Sequence, residues 1–315
     1  MDLAAKLADT LVCPQCHKPL SADAGALICD SHGAQYRRNE HGYYDFTLDP
    51  GLLNVETTSE EYAQDQEENW ERFFLEYLKP WLDREPALRV LEVGSGLGLA
   101  ITYLLEEGRE AYGIDVPCLS SFWARHDNDP AHFFSCDGAH MPFQDSFFDA
   151  VYSLGVIEHI GTEVGHYTLR NDYGAARQEF ANELIRVTRP DGRILITCPN
   201  KSFPIDIAHE PTDAATPTGT MRFRRAVYNK TGMTLHPPWG KHHLLSYGEV
   251  RALFCVNGGA REFRALSARG YFTFERFGSG PLGFLRDAVA GYVNNLPGIL
   301  RPTPLNPFVI AEIRK

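Results

Sequence analysis

The sequence predicts an α/β fold in which a parallel sheet binds a nucleotide-like ligand, and three features of one stretch support this. Residues 90–93 form a short apolar run typical of a buried parallel strand. A glycine-rich turn follows at residues 94–98, and residues 99–107 have helical composition. A second short apolar run then ends at Asp115. An acid at the end of that strand can bond the hydroxyls of a ribose.

The spacing of the glycines bears on the class of ligand. Dinucleotide sites need G-x-G-x-x-G, which seats a pyrophosphate on the helix N-terminus. Here the spacing is G-x-G-x-G, and Glu92 lies two residues before the first glycine. Farther along, Phe134-Ser135-Cys136-Asp137-Gly138 leads into P-F-Q-D-S-F-F-D and another apolar strand. The glycine spacing therefore differs from that of a dinucleotide site.

These segments resemble the small-molecule branch of class I S-adenosylmethionine-dependent methyltransferases, over roughly residues 86–200 and again at the C-terminus. The resemblance implies a Rossmann-like sheet of seven strands with helices on both faces, the last two strands lying within residues 261–271 and 306–313. It also implies S-adenosyl-L-methionine as cofactor. The cofactor contacts that it implies are Glu92, Gly94, Ser95, Gly96, Gly98, Asp115, Asp137, Gly138 and Leu154.

The first fifty residues contain a second pattern, C-x2-C-x12-C-x2-H, in which each pair closes a tight turn. Tetrahedral zinc needs four nitrogen or sulfur ligands, and paired knuckles supply them with little strain. The spacing predicts a structural zinc ion on Cys13, Cys16, Cys29 and His32. His17 is a less suitable fourth ligand because it adjoins Cys16. The alternative is a cysteine-containing hairpin without metal.

The residues around these cysteines resemble two zinc ribbons: the finger that precedes some bacterial rRNA guanine methyltransferases, and the small activator of eukaryotic methyltransferase complexes. Both resemblances imply methyl transfer, and both introduce RNA as an alternative substrate. The first fifty residues hold seven acids and only four Lys or Arg, which is a poor electrostatic match to RNA. A structural or lid role for the ribbon is therefore favoured over RNA binding.

Two histidines are candidates for action on the methyl acceptor. His159 follows the strand expected at residues 150–155, where small-molecule methyltransferases have a similar E-H motif beside the transferred methyl group. His209 follows the strand expected at residues 194–198. Histidine can remove a proton from an accepting hydroxyl near neutral pH, so both are predicted to be catalytic. For His159 the alternative is a histidine at a helix start that only bonds the backbone.

The insertion that follows, at about residues 201–247, has little regular periodicity and many prolines. From residue 221 to residue 243 it contains no acid, although the whole chain has a net charge of −11. This run indicates either a pocket wall that binds an anionic acceptor or a solvated loop that offsets acidic surface elsewhere. On the first interpretation the substrate contacts are Arg222, Arg224, Arg225 and His242. The four histidines of the insertion lack zinc-ligand spacing.

The domain organisation follows from these patterns. We expect a zinc-ribbon domain over residues 1–50, a helical linker or lid over 51–86, and a methyltransferase domain over 87–315 with insertions at about 201–247 and 272–304. Ser246 and Glu249 predict a capping box at a helix start. The second insertion has an apolar stripe, expected to pack on the body of the protein or, alternatively, to contact a membrane surface: Leu282, Leu285, Val289, Tyr292, Val293 and Leu296.

Composition limits the remaining classes. The net charge of −11 opposes general binding to nucleic acid without excluding it. The sequence has no apolar run long enough to span a membrane and no signal peptide at its start, and we expect a cytoplasmic protein with reduced cysteines. The favoured function is methyl transfer to a small or lipid-linked acceptor, most simply at oxygen. RNA base methylation and a cofactor-binding regulatory subunit are the alternatives, and the oligomeric state is not predicted.

Overall fold

The computed structural model describes residues 3–49, 51–52, 60–163, 167–212, 219–271 and 283–315. Its strands are β1 (Ser21–Asp23), β2 (Ala26–Ile28), β3 (Gln35–Tyr36), β4 (Tyr44–Asp45), β5 (Arg89–Val93), β6 (Glu110–Asp115), β7 (Phe133–Ser135), β8 (Phe148–Leu154), β9 (Thr188–Pro199), β10 (Ile205–Asp206), β11 (Thr234–Leu235), β12 (Glu262–Ala265) and β13 (Phe308–Arg314). Its α-helices are α1 (Leu3–Ala8), α2 (Glu60–Phe73), α3 (Lys79–Asp83), α4 (Leu99–Glu106), α5 (Ser120–Arg125), α6 (Tyr173–Val187), α7 (Met221–Thr231), α8 (Tyr247–Arg251) and α9 (Gly283–Asn294).

The central sheet confirms the predicted fold class. Across the described residues its strand order is β12-β13-β9-β8-β5-β6-β7-β4. The strands from β4 to β9 run parallel, whereas β13 pairs antiparallel with both β9 and β12. The strand order reverses between β5 and β8, the kind of point at which open α/β sheets bind ligands. The carboxyl ends of β5, β6, β8 and β9 therefore surround the expected cleft.

One strand of this sheet was not expected. β4 comes from the N-terminal region and pairs in parallel with β7, aligning Tyr44 with Phe134 and Asp45 with Ser135. The next residue continues the contact, because Phe46 N donates to Ser135 O at 2.7 Å. Buried side chains from both regions form one hydrophobic cluster, in which the Phe46 and Phe134 rings lie 6.0 Å apart. The N-terminal region is thus built into the sheet.

The helical segment before β5 packs on the first crossover helix. Trp70 of α2 and Phe74, which begins a π-helical turn after α2, both contact the ring of Tyr103 in α4. Past α3, the buried guanidinium of Arg193 donates to backbone carbonyls of Trp81, Leu82 and Glu85. These contacts pack aromatic side chains of the helical segment against the main domain. A lid role for the segment remains a prediction.

The first insertion is more regular than its sequence suggests. Its basic run forms helix α7, which ends at Gly232 with a φ of 68° and is followed by β11. Strands β10 and β11 pair antiparallel around it. The sequence showed little regular periodicity here, yet a helix forms, and Gly232 closes it in the left-handed conformation. Helix α8 has the predicted capping box, with Ser246 Oγ accepting from Glu249 N.

The apolar stripe of the second insertion is divided. Val293 and Leu296 are buried, while Val289 and Tyr292 are 43% and 44% exposed. Leu282 lies outside the described residues, as does the side chain of Leu285. None of the helices formed by the described residues is both long enough and apolar enough to span a bilayer.

Candidate functional site

The glycine turn between β5 and α4 is held from two sides. Gly94 N and Ser95 N both donate to Ile114 O at the end of β6, at 2.9 and 3.0 Å. Gly94 has a φ of 86°, and a Cβ placed on it would lie 2.3 Å from a methyl carbon of Val156. Glycine is therefore required there, and the backbone stays open to a ligand.

Asp115, the last residue of β6, bonds this turn directly. Its Oδ2 accepts from Gly96 N at 2.7 Å and its Oδ1 accepts from Val116 N at 2.8 Å. Burial raises the pKa of Asp115 to about 6, although both backbone N–H groups act in the opposite direction. A carboxylate oxygen has two acceptor positions, so each can still take a ribose hydroxyl.

Two further acids, one in β5 and one just after β7, have buried oxygens. Glu92 Oε2 and Asp137 Oδ2 lack a hydrogen-bond partner among the described residues. Burial raises the pKa of Glu92 well above its usual value. Asp137 Oδ1 instead accepts from Ala139 N and contacts His140 Nδ1, both at 2.9 Å. Buried acceptors of this kind normally have a donor, and the hydroxyls and amines of S-adenosylmethionine are suitable donors.

The remaining predicted cofactor residues lie around these acids. Leu154 is the last residue of β8 and is half-buried. Gly138 packs tightly, since a Cβ there would lie 2.6 Å from the ring of Phe180. Gly98, with a φ of 81°, faces Phe133 and Asn128. Gly98 and Gly138 are thus explained by packing.

Sequence reasoning missed two side chains that support the turn. Trp123 Nε1 donates to Gly96 O at 2.8 Å, and Asn128 Nδ2 donates to Leu97 O at 3.1 Å. Asn128 Oδ1 also accepts from Thr102 Oγ1, which links the turn to α4. No motif marks these residues, because Trp123 in α5 and Asn128 just after it are more than twenty positions from the turn that they contact.

Beyond the carboxyl ends of β8 and β9 the structure brings together histidines and acids. The rings of His159 and His209, the two predicted catalytic residues, lie 5.3 Å apart. Glu158 lies with them, and the ligating atoms of these three residues are all within 4.8 Å of one another. Asp206 and His243 form a second such group with His209. We call these five residues the histidine cluster.

Neighbouring elements fix the histidine cluster in place. The buried Arg177 of α6 donates to Ile160 O at 3.1 Å and to His243 O at 2.6 Å, which ties the segment after β8 to the end of the insertion. Thr234 Oγ1 of β11 donates to His209 O. The sequence did not predict this grouping, because its members come from three separate segments.

Burial and pairing set the charges in the histidine cluster. Burial raises the pKa of Glu158 to about 7. Burial alone would lower the pKa of His209, but its Nδ1 lies 2.8 Å from Asp206 Oδ2, and this bond leaves the pKa raised. Burial lowers the pKa of His243, and it lowers that of His242 to about 3. His242 and His243 are therefore neutral near pH 7.

The predicted substrate contacts of the insertion differ in their burial and in their hydrogen-bond partners. Arg222 and Arg225 are exposed on α7. Arg224 is buried, and its guanidinium donates to Leu235 O and Thr212 O. His242 Nδ1 accepts from Leu244 N. Arg224 and the neutral His242 thus have partners inside the insertion, and binding of an anion remains a prediction that now depends on the exposed pair.

The N-terminal cysteines form a compact group. Cys13 Sγ lies 3.2 Å from His32 Nε2, and Cys16 Sγ lies 3.5 Å from Cys29 Sγ. All four ligating atoms lie within 4.8 Å of one another, and three cysteines with one histidine are a usual ligand set of structural zinc sites. His17 is outside this group, with its Nε2 3.9 Å from a Glu183 oxygen. We call Cys13, Cys16, Cys29 and His32 the ribbon cluster.

Comparison with known families divides the chain in the same way. Residues 91–196 match the methyltransferase domain family, and residues 5–37 match the family of Trm112p-like proteins. The first match spans β5 to most of β9, which is the sheet region around the cleft. The second spans the ribbon cluster.

Individual proteins resemble this chain at low sequence identity or over only part of its length. Tocopherol O-methyltransferase of Arabidopsis thaliana is 32% identical over 34% of this chain and 29% of its own length. Probable tRNA methyltransferase 9B of Mus musculus is 24% identical over 51% of this chain and 31% of its own. A Haloferax volcanii complex of the Trm112 methyltransferase activator with a putative methyltransferase aligns with a TM-score of 0.43 and 15% identity, covering 81% of this chain and 94% of that one. The chain spans less than a third of the length of these two sequence relatives.

The strand order around β5 and β8 and the match over residues 91–196 are those of a methyltransferase domain. In this chain the region that matches methyltransferase domains follows an N-terminal region that matches Trm112p-like proteins.

Proposed function

We propose that this chain transfers a methyl group from S-adenosylmethionine to an oxygen of a small or lipid-linked acceptor. The observation that supports this most directly is the position of Glu158, His159 and His209 beyond the carboxyl ends of β8 and β9. Those strands border the cleft on the side away from β6, where Asp115 lies. The cofactor and the acceptor-side groups thus occupy neighbouring parts of one sheet edge.

In this proposal the cofactor lies over β5 and β6. Asp115 accepts the ribose hydroxyls, and the backbone of residues 94–96 lies against the rest of the molecule. Asp137 lies beside the adenine, and the unpartnered oxygen of Glu92 faces a donor of the cofactor or an ordered water. When bound, S-adenosylmethionine supplies an activated methyl group on a sulfonium.

The protein then has two tasks, which are to align the acceptor and to assist the loss of its proton. His159 is exposed toward solvent and His209 is buried beside it, so an acceptor can reach the pair from the His159 side. The Asp206–His209 bond fixes the orientation of the second ring. We propose that both histidines act on the accepting hydroxyl.

An anionic acceptor suits the insertion. Arg222 and Arg225 are three residues apart on α7 and therefore lie on one face of the helix. If they bind a phosphate or carboxylate, Arg222→Ala and Arg225→Ala should each raise the acceptor KM about tenfold or more, since a charge-assisted bond contributes about 1.5–3 kcal/mol. Cofactor affinity should stay constant. Unchanged acceptor kinetics in both variants would reduce α7 to a solvated surface.

The ribbon cluster is proposed to hold one structural zinc ion through three thiolates and the His32 imidazole. Its role would be to stabilise the fold of residues 3–49, which contain only short strands. Zinc content measured on protein purified without added metal should be about one per chain.

The decisive experiment uses tritiated methyl groups on S-adenosylmethionine and fractionated cell extract. Label in the small-molecule or lipid fraction is expected, and base-stable label would separate an ether product from an ester. Label only in RNA would reject the proposed acceptor. No transfer to any fraction, with cofactor binding intact, would favour a regulatory subunit.

RNA methylation is the second candidate because a Trm112p-like match precedes the methyltransferase domain and one relative is a probable tRNA methyltransferase. The acidity of the first fifty residues opposes it. Removal of RNA by nuclease before fractionation distinguishes the two, since label in a small molecule would survive the treatment.

A further inference from the structure

We propose that Glu158, His159 and His209 bind one divalent transition-metal cation at the acceptor end of the cleft. This site is separate from the ribbon cluster and does not depend on cysteine. Two imidazoles and one carboxylate within 4.8 Å of one another suit zinc, iron, manganese or cobalt. Three protein ligands also leave coordination positions open for another molecule.

The unpartnered carboxylate of Glu158 is the independent sign of a ligand. This side chain is 1% exposed, and within the described part of the chain its Oε2 has no hydrogen-bond partner. A buried acceptor without a partner is costly, and a cation would satisfy it. A Cβ placed on Gly155 would lie 3.7 Å from Glu158 Oε1, so the carboxylate lies close to the end of β8.

Asp206 bonds His209 in the way that a carboxylate commonly bonds a metal-binding histidine. Its Oδ2 lies 2.8 Å from His209 Nδ1, and its Oδ1 accepts from Ala208 N. Metal-binding histidines commonly donate their other ring nitrogen to a carboxylate, which fixes the tautomer and the ring orientation. The Nδ1 contact therefore leaves Nε2 of His209 for the cation.

A second grouping, Asp206 with His209 and His243, is less suitable. All three residues are buried, so this grouping offers a cation no exposed ligand through which to enter. The Asp206 oxygen and the His209 nitrogen also already bond each other. The first group has the exposed His159 at its edge.

The role of the cation rests on the proposed function. An accepting hydroxyl at an open position of the cation would have a lowered pKa and would release its proton to solvent. Its oxygen would then form the bond to the methyl carbon, and the sulfur would keep the electron pair of the broken S–C bond. His159 and His209 would assist proton loss as ligands.

The test uses the full-length protein with its ribbon zinc bound and titrates cobalt(II) by calorimetry and absorption spectroscopy. One added equivalent without thiolate charge-transfer bands is expected, since those bands would report cobalt at the ribbon cysteines. Glu158→Gln, His159→Ala and His209→Ala should each abolish this binding. Asp206→Ala should weaken it about ten- to a hundredfold.

His236→Gln is the matched control, because His236 is a buried histidine of the same insertion outside the proposed ligands. It should bind cobalt like the unaltered protein. The exposed His159 can be replaced with little risk to folding, and thermal unfolding checks each variant. No added equivalent in the unaltered protein, or full binding by Glu158→Gln and His159→Ala, would overturn the site. Loss in His243→Ala alone would move the cation to the second grouping, which also overturns it.

Failure of the metal site and failure of methyl transfer are distinguishable. Cobalt binding is measured without cofactor or acceptor, whereas transfer of the tritiated methyl group is measured with both. A chain that binds cobalt but transfers no methyl group would keep the site and reject its role.

Discussion

The ribbon cluster and the histidine cluster each bring potential metal ligands together, but the chain assembles them in opposite ways. The four ribbon residues lie within twenty positions of one another, and turns such as Cys13 N to Lys18 O shape the knuckles locally. The histidine cluster draws on residues from 158 to 243 and depends on β8, β9 and the insertion meeting at one edge. Spacing therefore predicts the first cluster, whereas only the topology of the sheet produces the second.

Substitutions in the two clusters should also differ in their effect on the stability of the fold. The ribbon cluster lies among short strands, where a metal contributes to folding itself. The histidine cluster is anchored by bonds that need no metal, such as those from Arg177 to the backbone. Replacing the exposed His159 should therefore leave the fold intact.

The largest effect is expected at the ribbon. If the ribbon cluster holds the proposed zinc ion, Cys13→Ser/Cys29→Ser should lose it and lower the Tm by about 10 °C or more, because such a metal would contribute several kcal/mol to folding. Zinc analysis and thermal unfolding measure both quantities. Cys255→Ser, which alters a half-buried cysteine outside the cluster, should change neither. Full zinc retention in the double variant would remove the contrast between the clusters.

At the histidine cluster we expect the reverse pattern. His159→Ala and His209→Ala should lower kcat/KM by about 10²- to 10⁴-fold, the usual contribution of proton transfer. The Tm of His159→Ala should stay close to that of the unaltered protein, because the side chain of His159 is exposed. A large loss of stability with unchanged kinetics would show that the histidines are structural.

A smaller effect is expected on the cofactor side, where neither cluster takes part. Asp115→Ala should weaken binding of S-adenosylhomocysteine about ten- to a hundredfold, because charge-assisted bonds contribute about 1.5–3 kcal/mol. Calorimetric titration measures this directly. Asp129→Ala, which changes an acid outside the cleft strands, serves as control. Equal affinity in Asp115→Ala would reject the ribose assignment.

The smallest effect concerns pH. Because burial raises the pKa of Asp115 to about 6, protonation should weaken cofactor binding as the pH falls through that value, by at most about tenfold per pH unit. The pH dependence of folding stability has the opposite sign to that of cofactor binding. A raised carboxyl pKa contributes stability at low pH that is lost as the pH rises through about 6. Affinity measured from pH 5 to pH 8 should show the decline at acid pH, and Asp115→Ala should flatten it.

What the sequence could predict was mostly local. The turn at residues 94–98, the capping box at Ser246 and the cysteine spacing each depend on nearby residues, and the structure has all three features. Helix α7 escaped prediction because its helical pattern is hidden in a basic run between proline-rich segments. Glu158 and Asp206 gained significance only when two strand ends were adjacent. Arg224 illustrates a different error. Its charge suggested contact with an anionic acceptor, but its guanidinium donates to backbone carbonyls of the insertion.

The pairing between β4 and β7 bears on how readily the protein would aggregate. β4 covers what would otherwise be the free edge of the central sheet, and a bare edge is a template for pairing with other molecules. If removal of zinc disorders residues 3–49, β7 would lose its neighbour. Chelation should then lead to aggregation by intermolecular strand addition, visible as light scattering, as well as to unfolding. Through one short strand, the metal would protect the protein against self-association.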